Sequence, residues 1–398
     1  MPSSSRLASG PLNGIRVLDL SAYIAGPYAC SLLADMGAEV IKIEPPSGDT
    51  LRLYPSTLEA EARVFLGVNR CKRGAVIDLK KPEGTAILMR LIESADVLVH
   101  NFRPSVPARL GIDYATIRNR NPRLIYCALT GYGDTGPLKE KAGYDQVLQS
   151  ITGICTFQGR DTGAPEIVRG SVVDFYAAAL LSNAVCAALY ERERTGEGQS
   201  VSISLLASAL AMQSGRFIWA NGEERDAGRD MSSGGITGIH PAREGSIYIS
   251  ANTPHFWQAL CKLTGMEEMA ADPNYNTVRK RALRASEIVP RLRTALKART
   301  ALEWEEIFGD QVPCGAVRPI EDMFDYPQVM QQGLVTEFVH PQVGTYRGLS
   351  GAFQFGGAPA PEAFGAPALG QHTVEILVAN GYSDAEIERL RQLGVIGD

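Results

Sequence analysis

Residues 168–180, "VRGSVVDFYAAAL", set one carboxylate, Asp174, among valines and a run of Phe, Tyr, Ala and Leu. Arg169 is the nearest cation in sequence. A lone carboxylate in such surroundings supports two chemistries. It can cap a helix, because an aspartate oxygen accepts the free N–H groups of a first turn. It can also attack an activated acyl group, provided it is ionised and held in place. The residues after Asp174 read as a helix as far as "ERERTGEG", where glycine can end it. At a helix mouth the two readings are compatible, since the positive end of the helix favours a carboxylate.

Other chemistry-bearing residues fall into three groups. Lys72, Arg73, Lys80 and Lys81 surround the strand in "VNRCKRGAVIDLKKPEG", and "NFRPSVPARLG" adds Arg103 and Arg109. Such cations either meet the phosphates of a large anionic ligand or form a solvated face. The glycine-rich "TGYGDTGPLKEKAGYDQVLQSITG" places Tyr144 and Asp145 ahead of a short helix, and irregular segments on a rigid scaffold often line sites. The seven cysteines (30, 71, 127, 155, 186, 261 and 314) form no CxxC pair, and the five histidines (100, 240, 255, 340 and 372) form no HExxH, so no metal centre is expected. Wide, odd-numbered cysteine spacing reads as reduced thiols in the cytoplasm, or in the mitochondrial matrix of a eukaryote.

These groups need elements to position them. "IRVLDLS" and "AEVIKIEPP" read as buried strands flanking the helix "YACSLLADMG", a βαβ unit that implies a parallel sheet. "KPEGTAILMRLIESA" is a helix with Pro82 in its first turn, "DVLVHNF" a strand, "YATIRNRNP" a short helix and "RLIYCALTGYG" a strand. The grammar changes after residue 200. "VSISLLASALAMQSGRFIWANG" reads as helical, and "SIYISAN", "HFWQALCKLTG" and "ASEIVPRLRTALKART" as a strand and two helices. "LVTEFVHPQVGTYRGLSGAFQF" alternates like β structure. Near the end, Ser383 and Glu386 are spaced as a capping box. The expected architecture is α/β: a Rossmann-like doubly wound large domain (residues 1–220 and 335–398) with a smaller α+β domain at 221–334.

The 398 residues, 45% hydrophobic and 21% charged, are enough for two domains. A net charge of −5, without basic clusters interleaved with aromatics, argues against a nucleic-acid protein. The longest apolar run, "FYAAALLSNAVCAALY", reads as too short and too polar to span a bilayer. The first strand–helix turn, "SAYIAGPYACSLL", lacks the glycines of GxGxxG, which disfavours a nicotinamide cofactor.

Several stretches, in order, resemble one family. They are "PLNGIRVLDLSAYIAGPYACSLLADMGAEVIKIEPPSGDTLR", "NRCKRGAVIDLKKPEG", "ADVLVHNFRPSVPARLGIDYATIRNRNPRLIYCALTGYGDTGP", "AGYDQVLQSITG", "RTGEGQSVSISL", "QVPCGAVRPIEDMFDYPQV" and "LGQHT". The pattern is similar to the class III CoA-transferases, the formyl-CoA and carnitine CoA-transferase group. The resemblance implies an interlocked, ring-shaped homodimer and a CoA thioester as substrate, with no permanently bound cofactor. It places the catalytic aspartate at Asp174. It places CoA contacts at Ala25, Gly26 and Pro27, at Lys80, Asn101, Phe102 and Arg109, and at Gly143, Tyr144 and Asp145. Backbone donors for oxyanions are expected from the "SSGG" loop, Gly234 and Gly235 among them. Two departures stand out: Ile24 replaces a glutamine of the oxalate-linked members, and "SSGGITG" is shorter than their glycine run. "APEIVRGSVVD" and "GLVTEFVHPQVGTYRG" look most like the succinyl-CoA:dicarboxylate branch, with Arg169 as a candidate anchor for a second carboxylate. Two rivals share the pattern. A 2-methylacyl-CoA racemase would need a histidine where this chain has Tyr144. A CoA-binding protein without chemistry would not need Asp174.

Overall fold

The structure, a computed structural model, describes residues 10–160, 162–224, 235–356 and 361–397. Contacts divide the chain into two units, residues 215–326 and the remainder. The boundaries expected at 220/221 and 334/335 lie a few residues later than these.

In the larger unit, six strands form one parallel sheet. They are β1 (Arg16–Asp19), β2 (Glu39–Glu44), β3 (Lys72–Val76), β4 (Val97–His100), β5 (Ile125–Thr130) and β6 (Ser200–Ser204), in the order β3-β2-β1-β4-β5-β6. Leu18 on β1 pairs with Ile41 on β2 and with Leu98 on β4. Between the strands run α1 (Ala25–Asp35), α2 (Arg63–Val68), α3 (Pro82–Ile92), α4 (Ser105–Leu110), α5 (Tyr114–Arg120), α6 (Asp145–Ile151), α7 (Ile154–Gln158) and α8 (Val172–Thr195), with α9 (Leu205–Ala211) after β6.

Both faces of the sheet are buried, as continuous apolar strands require. Val17, Val97 and Ile125 pack with Ala29 and Leu33 of α1 and with Val173, Ala177, Leu181 and Val185 of α8. That four-residue spacing draws one stripe along α8, and its alanines let the two helices approach closely. Leu18, Ile41 and Leu98 face the other way, onto Ile87, Leu88 and Leu91 of α3 and Ile117 of α5. Pro82 opens α3 at its first position, as predicted.

Two readings need correcting. "VSIS" is not helical: Ser200–Ser204 pairs with β5, Val201 against Cys127 and Ile203 against Leu129, because β-branched residues at alternate positions suit a sheet edge. The helix begins only at Leu205, where Ser204 caps it. Second, α8 is long and apolar enough to cross a bilayer, contrary to the reading of its sequence. In the fold, its apolar stripe covers the sheet.

The smaller unit pairs β7 (Gly238–Pro241), β8 (Ser246–Ile249) and β9 (Cys314–Ala316) in an antiparallel sheet. Its helices are α10 (Pro254–Thr264), α11 (Glu267–Ala271), α12 (Val278–Leu283), α13 (Ala285–Leu296) and α14 (Ala301–Phe308). Trp257, Leu260, Leu292, Trp304 and Phe308 form their core. The chain then returns to the larger unit with α15 (Pro327–Gln331), the hairpin β10 (Val335–His340) and β11 (Gly344–Leu349), α16 (Thr373–Ala379) and α17 (Asp384–Gln392).

Candidate active site

The strand order reverses between β1 and β4, and ligands of such sheets bind outside the carboxyl ends at that point. A cleft of about 350 Å³ lies there. It is walled by Ala22–Ala25 after β1, Asn101–Pro104 after β4, Thr130 and Gly131 at the end of β5, Ala142–Gln146 at the start of α6, and Ser171 and Asp174 at the mouth of α8.

The wall after β1 is held from beneath by buried charges. Lys42 donates to the Ser21 carbonyl at 2.9 Å and pairs with Asp49 at 3.0 Å. Asp49 in turn accepts from the Tyr23 N–H at 3.2 Å. Lys72 pairs with Asp19 at 2.8 Å, and Asp19 accepts from the Ser21 N–H. Burial alone would raise the Asp19 carboxyl, but Lys72 and Lys42 outweigh it and hold it below its ordinary value. The Asn101 amide clamps Ala22 twice, accepting its N–H at 3.0 Å and donating to its carbonyl at 2.7 Å. Together these contacts keep Tyr23 in the left-handed region, at φ 65°, a strained conformation for a residue with a Cβ. Tyr23 meets Tyr144 edge to face at 5.6 Å, and its hydroxyl is pushed above the ordinary range chiefly by a hydrogen bond with Tyr144.

Glycine is required where backbones touch. A Cβ on Gly26 would stand 2.4 Å from the Ser21 side chain, and one on Gly143 would stand 2.7 Å from the Gly131 Cα. Substitution at either position would displace a wall of the cleft.

Asp174 is half-buried in the first turn of α8, two residues past its first residue, and therefore does not cap it. The capping position belongs to Ser171, which is left-handed at φ 57° and makes no side-chain cap. The cap comes from elsewhere. The Asp145 carboxylate accepts the N–H groups of Val173 at 2.6 Å and Asp174 at 3.1 Å. The helix mouth was expected to favour an ionised Asp174. Instead burial, and after it the neighbouring Asp145, push its carboxyl up to about 7. No described residue hydrogen-bonds to or ion-pairs with the Asp174 carboxylate.

Of the residues expected at the site, Ala25, Asn101, Phe102, Gly143, Tyr144, Asp145 and Asp174 line this cleft. Gly26 and Pro27 are buried in the first turn of α1. Lys80, Arg109 and Arg169 are exposed and lie outside the lining. Gly235 belongs to the smaller unit, and Gly234 lies outside the described residues. Lys72 is no phosphate cation, since it is fully buried against Asp19, and Arg73 is taken up by Glu39 and Glu375. The lining cations are Arg103, Lys139 and Lys141. The two lysines sit in the glycine-rich segment already singled out, where "LKEK" was a readable signal. Tyr23 and Tyr54 carried none, because a strained tyrosine looks like any other in a sequence.

Comparison with known proteins bears on what this cleft takes. The CoA-transferase family III matches residues 12–373. The chain belongs to that family. It is 32% identical to the succinyl-CoA:glutarate CoA-transferase of Mus musculus, over 99% of this chain and 92% of that protein. It is equally identical to the succinate–glutarate CoA-transferase of Agrobacterium fabrum, over 92% and 95%. Among solved structures, Rv3272 of M. tuberculosis superposes with a TM-score of 0.80 at 29% identity, covering 92% of this chain and 98% of its own. A CAIB/BAIF family protein from Brucella suis gives 0.80 at 28% identity, covering 93% and 99%. As a class III CoA-transferase, the enzyme moves CoA between a thioester and a carboxylic acid.

Proposed function

We propose that this CoA-transferase takes CoA from succinyl-CoA and gives it to a C4–C6 dicarboxylate, such as glutarate, itaconate, mesaconate or citramalate, with Asp174 as nucleophile. The observation that carries the reading is the Asp174 carboxylate, half-buried at the switch-point cleft with no described partner. In the first step an Asp174 oxygen bonds to the thioester carbonyl carbon, the C–S bond breaks, and CoA leaves as thiolate. The thiolate then attacks the aspartyl carbonyl of the resulting anhydride and expels succinate, leaving an aspartyl-CoA thioester. An acceptor carboxylate attacks that thioester, giving a second anhydride and thiolate. Attack of the thiolate on the acceptor's carbonyl releases the new acyl-CoA and restores Asp174. Ala25, Asn101, Phe102, Gly143 and Tyr144 would border the bound thioester, while Gly26 and Pro27 shape the turn. Arg103, Lys139 and Lys141 are placed to meet its phosphates.

The dicarboxylate acceptor is supported by the relatives named succinyl-CoA:glutarate, succinyl-CoA–D-citramalate and succinyl-CoA:mesaconate CoA-transferases. A second carboxylate needs a cation, and Arg169 is exposed and paired with no described acid. Racemisation has less support, because none of the five histidines lines the cleft. A homodimer forms part of the proposal: Phe217, Ile218 and Trp219 are each more than 60% exposed, a surface suited to cover by a second subunit. So does a reducing compartment, given seven unpaired cysteines.

Incubation with succinyl-CoA and no acceptor should add the mass of CoA less one water to the peptide holding Asp174. Persistence of that mass in Asp174→Ala would remove the assignment. A panel of acids should rank dicarboxylates above carnitine or cinnamate, and Arg169→Ala should erase that ranking. Faster turnover of the monocarboxylates by the native enzyme would end the acceptor proposal.

A further inference from the structure

Asp145 was expected to touch CoA, but its surroundings indicate another task. It is 2% exposed, and three donors already converge on it: the Gln149 amide on one oxygen, and the Val173 and Asp174 N–H groups on the other. Gln149 is itself fully buried and is fixed by both the N–H and the carbonyl of Val168, just upstream of α8. Gly170 and Ser171 are both left-handed, at φ 95° and 57°, and the Ser171 side chain makes no cap. Asp145 thus replaces a local cap with one supplied from another helix, and it accepts a hydrogen bond from the nucleophile's own backbone N–H.

We propose that Asp145 is a positioning residue for the transfer: it fixes the mouth of α8 from α6, and its carboxylate, held against the first turn of α8, contributes to the pH at which transfer begins. The inference rests on Asp174 being the nucleophile. A helix end ordinarily stabilises a carboxylate with its free N–H groups. Here Asp145 has taken two of them, and it presents a like charge instead. The remaining groups around Asp174 do not offset it. Arg103, Lys139, Lys141, Tyr23, Tyr54 and Tyr144 line the cleft, and none ion-pairs with it. From α1, packed along α8, the Asp35 carboxylate is taken up by Arg70, and the Tyr28 ring meets Phe175. From β5, Tyr126 and Cys127 are buried and neutral at ordinary pH, and α9 contributes no charged side chain. A more basic carboxylate, once ionised, is the stronger nucleophile. The arrangement therefore trades readiness at low pH for reactivity at neutral pH.

The test is the pH dependence of kcat/KM for succinyl-CoA in the native enzyme, Asp145→Asn, Asp145→Ser and Asp174→Asn. Substrate ionisations are common to all four and cancel in the comparison. Asp145→Asn keeps a capping oxygen without the charge, but turns an amide towards the Gln149 amide. Asp145→Ser avoids that clash, so a folded neutral variant is available for the measurement. The expected result is a rising limb near pH 7 in the native enzyme that moves down by about one unit in either neutral variant, with a lower plateau. A purely structural role would lower the plateau and leave the limb in place, and that outcome overturns the inference. Should Asp174→Asn retain transfer, the nucleophile assignment itself fails. Should it be inactive while the limb of the Asp145 variants stays put, only the role of Asp145 fails.

Discussion

Two kinds of helix start contrast in this protein. Away from the cleft, α14 and α17 carry complete capping boxes, Thr300 with Glu303 and Ser383 with Glu386. At the cleft, α1 begins behind a strained Tyr23 with no side-chain cap, and α8 begins behind a strained Ser171 and borrows Asp145 from 28 residues upstream. A local box satisfies its N–H groups with neighbours in sequence and asks nothing of the rest of the fold. A remote cap ties the helix mouth to another element, and so fixes the position of what stands on it. At the mouth of α8, local self-sufficiency has been given up.

The sharpest way to break this contrast is to change the group on the remote-capped helix. Asp174→Asn should lower transfer by a factor of at least about a thousand, since Asp145, the other carboxylate in the lining, is already taken up by three donors. The same change should stabilise the protein at high pH. A carboxyl raised to about 7 in the fold contributes stability that is present below its unfolded value near 4 and is lost as pH rises through 7. The variant should therefore gain on the native enzyme between about pH 4 and pH 8, reaching about 1–2 kcal/mol after allowance for partial solvation. Urea unfolding across that range would reveal it, and a constant gap would contradict it. A smaller effect is expected at the other cleft helix. Asn101→Ala strips Ala22 of both partners, and should cost kcat/KM for acyl-CoA about tenfold, mostly through KM. Equal loss in kcat alone would mean that the clamp serves the chemical step rather than binding. The least effect should come from the local box. Ser383→Ala should lower stability by about 1 kcal/mol and leave transfer rates unchanged.

The same contrast explains what could be read from the residues. The capping box at Ser383 was legible, because its two members lie three positions apart. So was α3, from Pro82 and the leucine–isoleucine spacing behind it. The parallel sheet followed from apolar runs separated by helices. β6 was misread because "VSIS" runs without a turn signal into the helix at Leu205, and only pairing with β5 makes it a strand. Asp174 stood out in the sequence, yet its setting did not. That depends on Asp145 taking the N–H groups of a helix 28 residues away, a relation that only the folded chain creates. The basic residues around β3 looked alike in sequence. Burial separates them, sending Lys72 beneath the sheet's end to Asp19 and leaving Lys80 in solvent.

The edge of the sheet has a consequence for how the chain is made. β3 is the outermost strand on its side, and among the described residues its free edge is met by segments between residues 364 and 396. Gly74 exchanges hydrogen bonds with His372, the Val76 N–H reaches the Thr373 hydroxyl, the Asp78 N–H reaches the Val395 carbonyl, and Ile77 bridges to Ile396. Val76 leaves the ribosome 297 residues before Thr373. At about 5–20 residues per second, that edge stays bare for roughly 15–60 s of synthesis. An open strand edge is a template for pairing with other chains. A segment made 297 residues later is therefore what ends the exposure of β3.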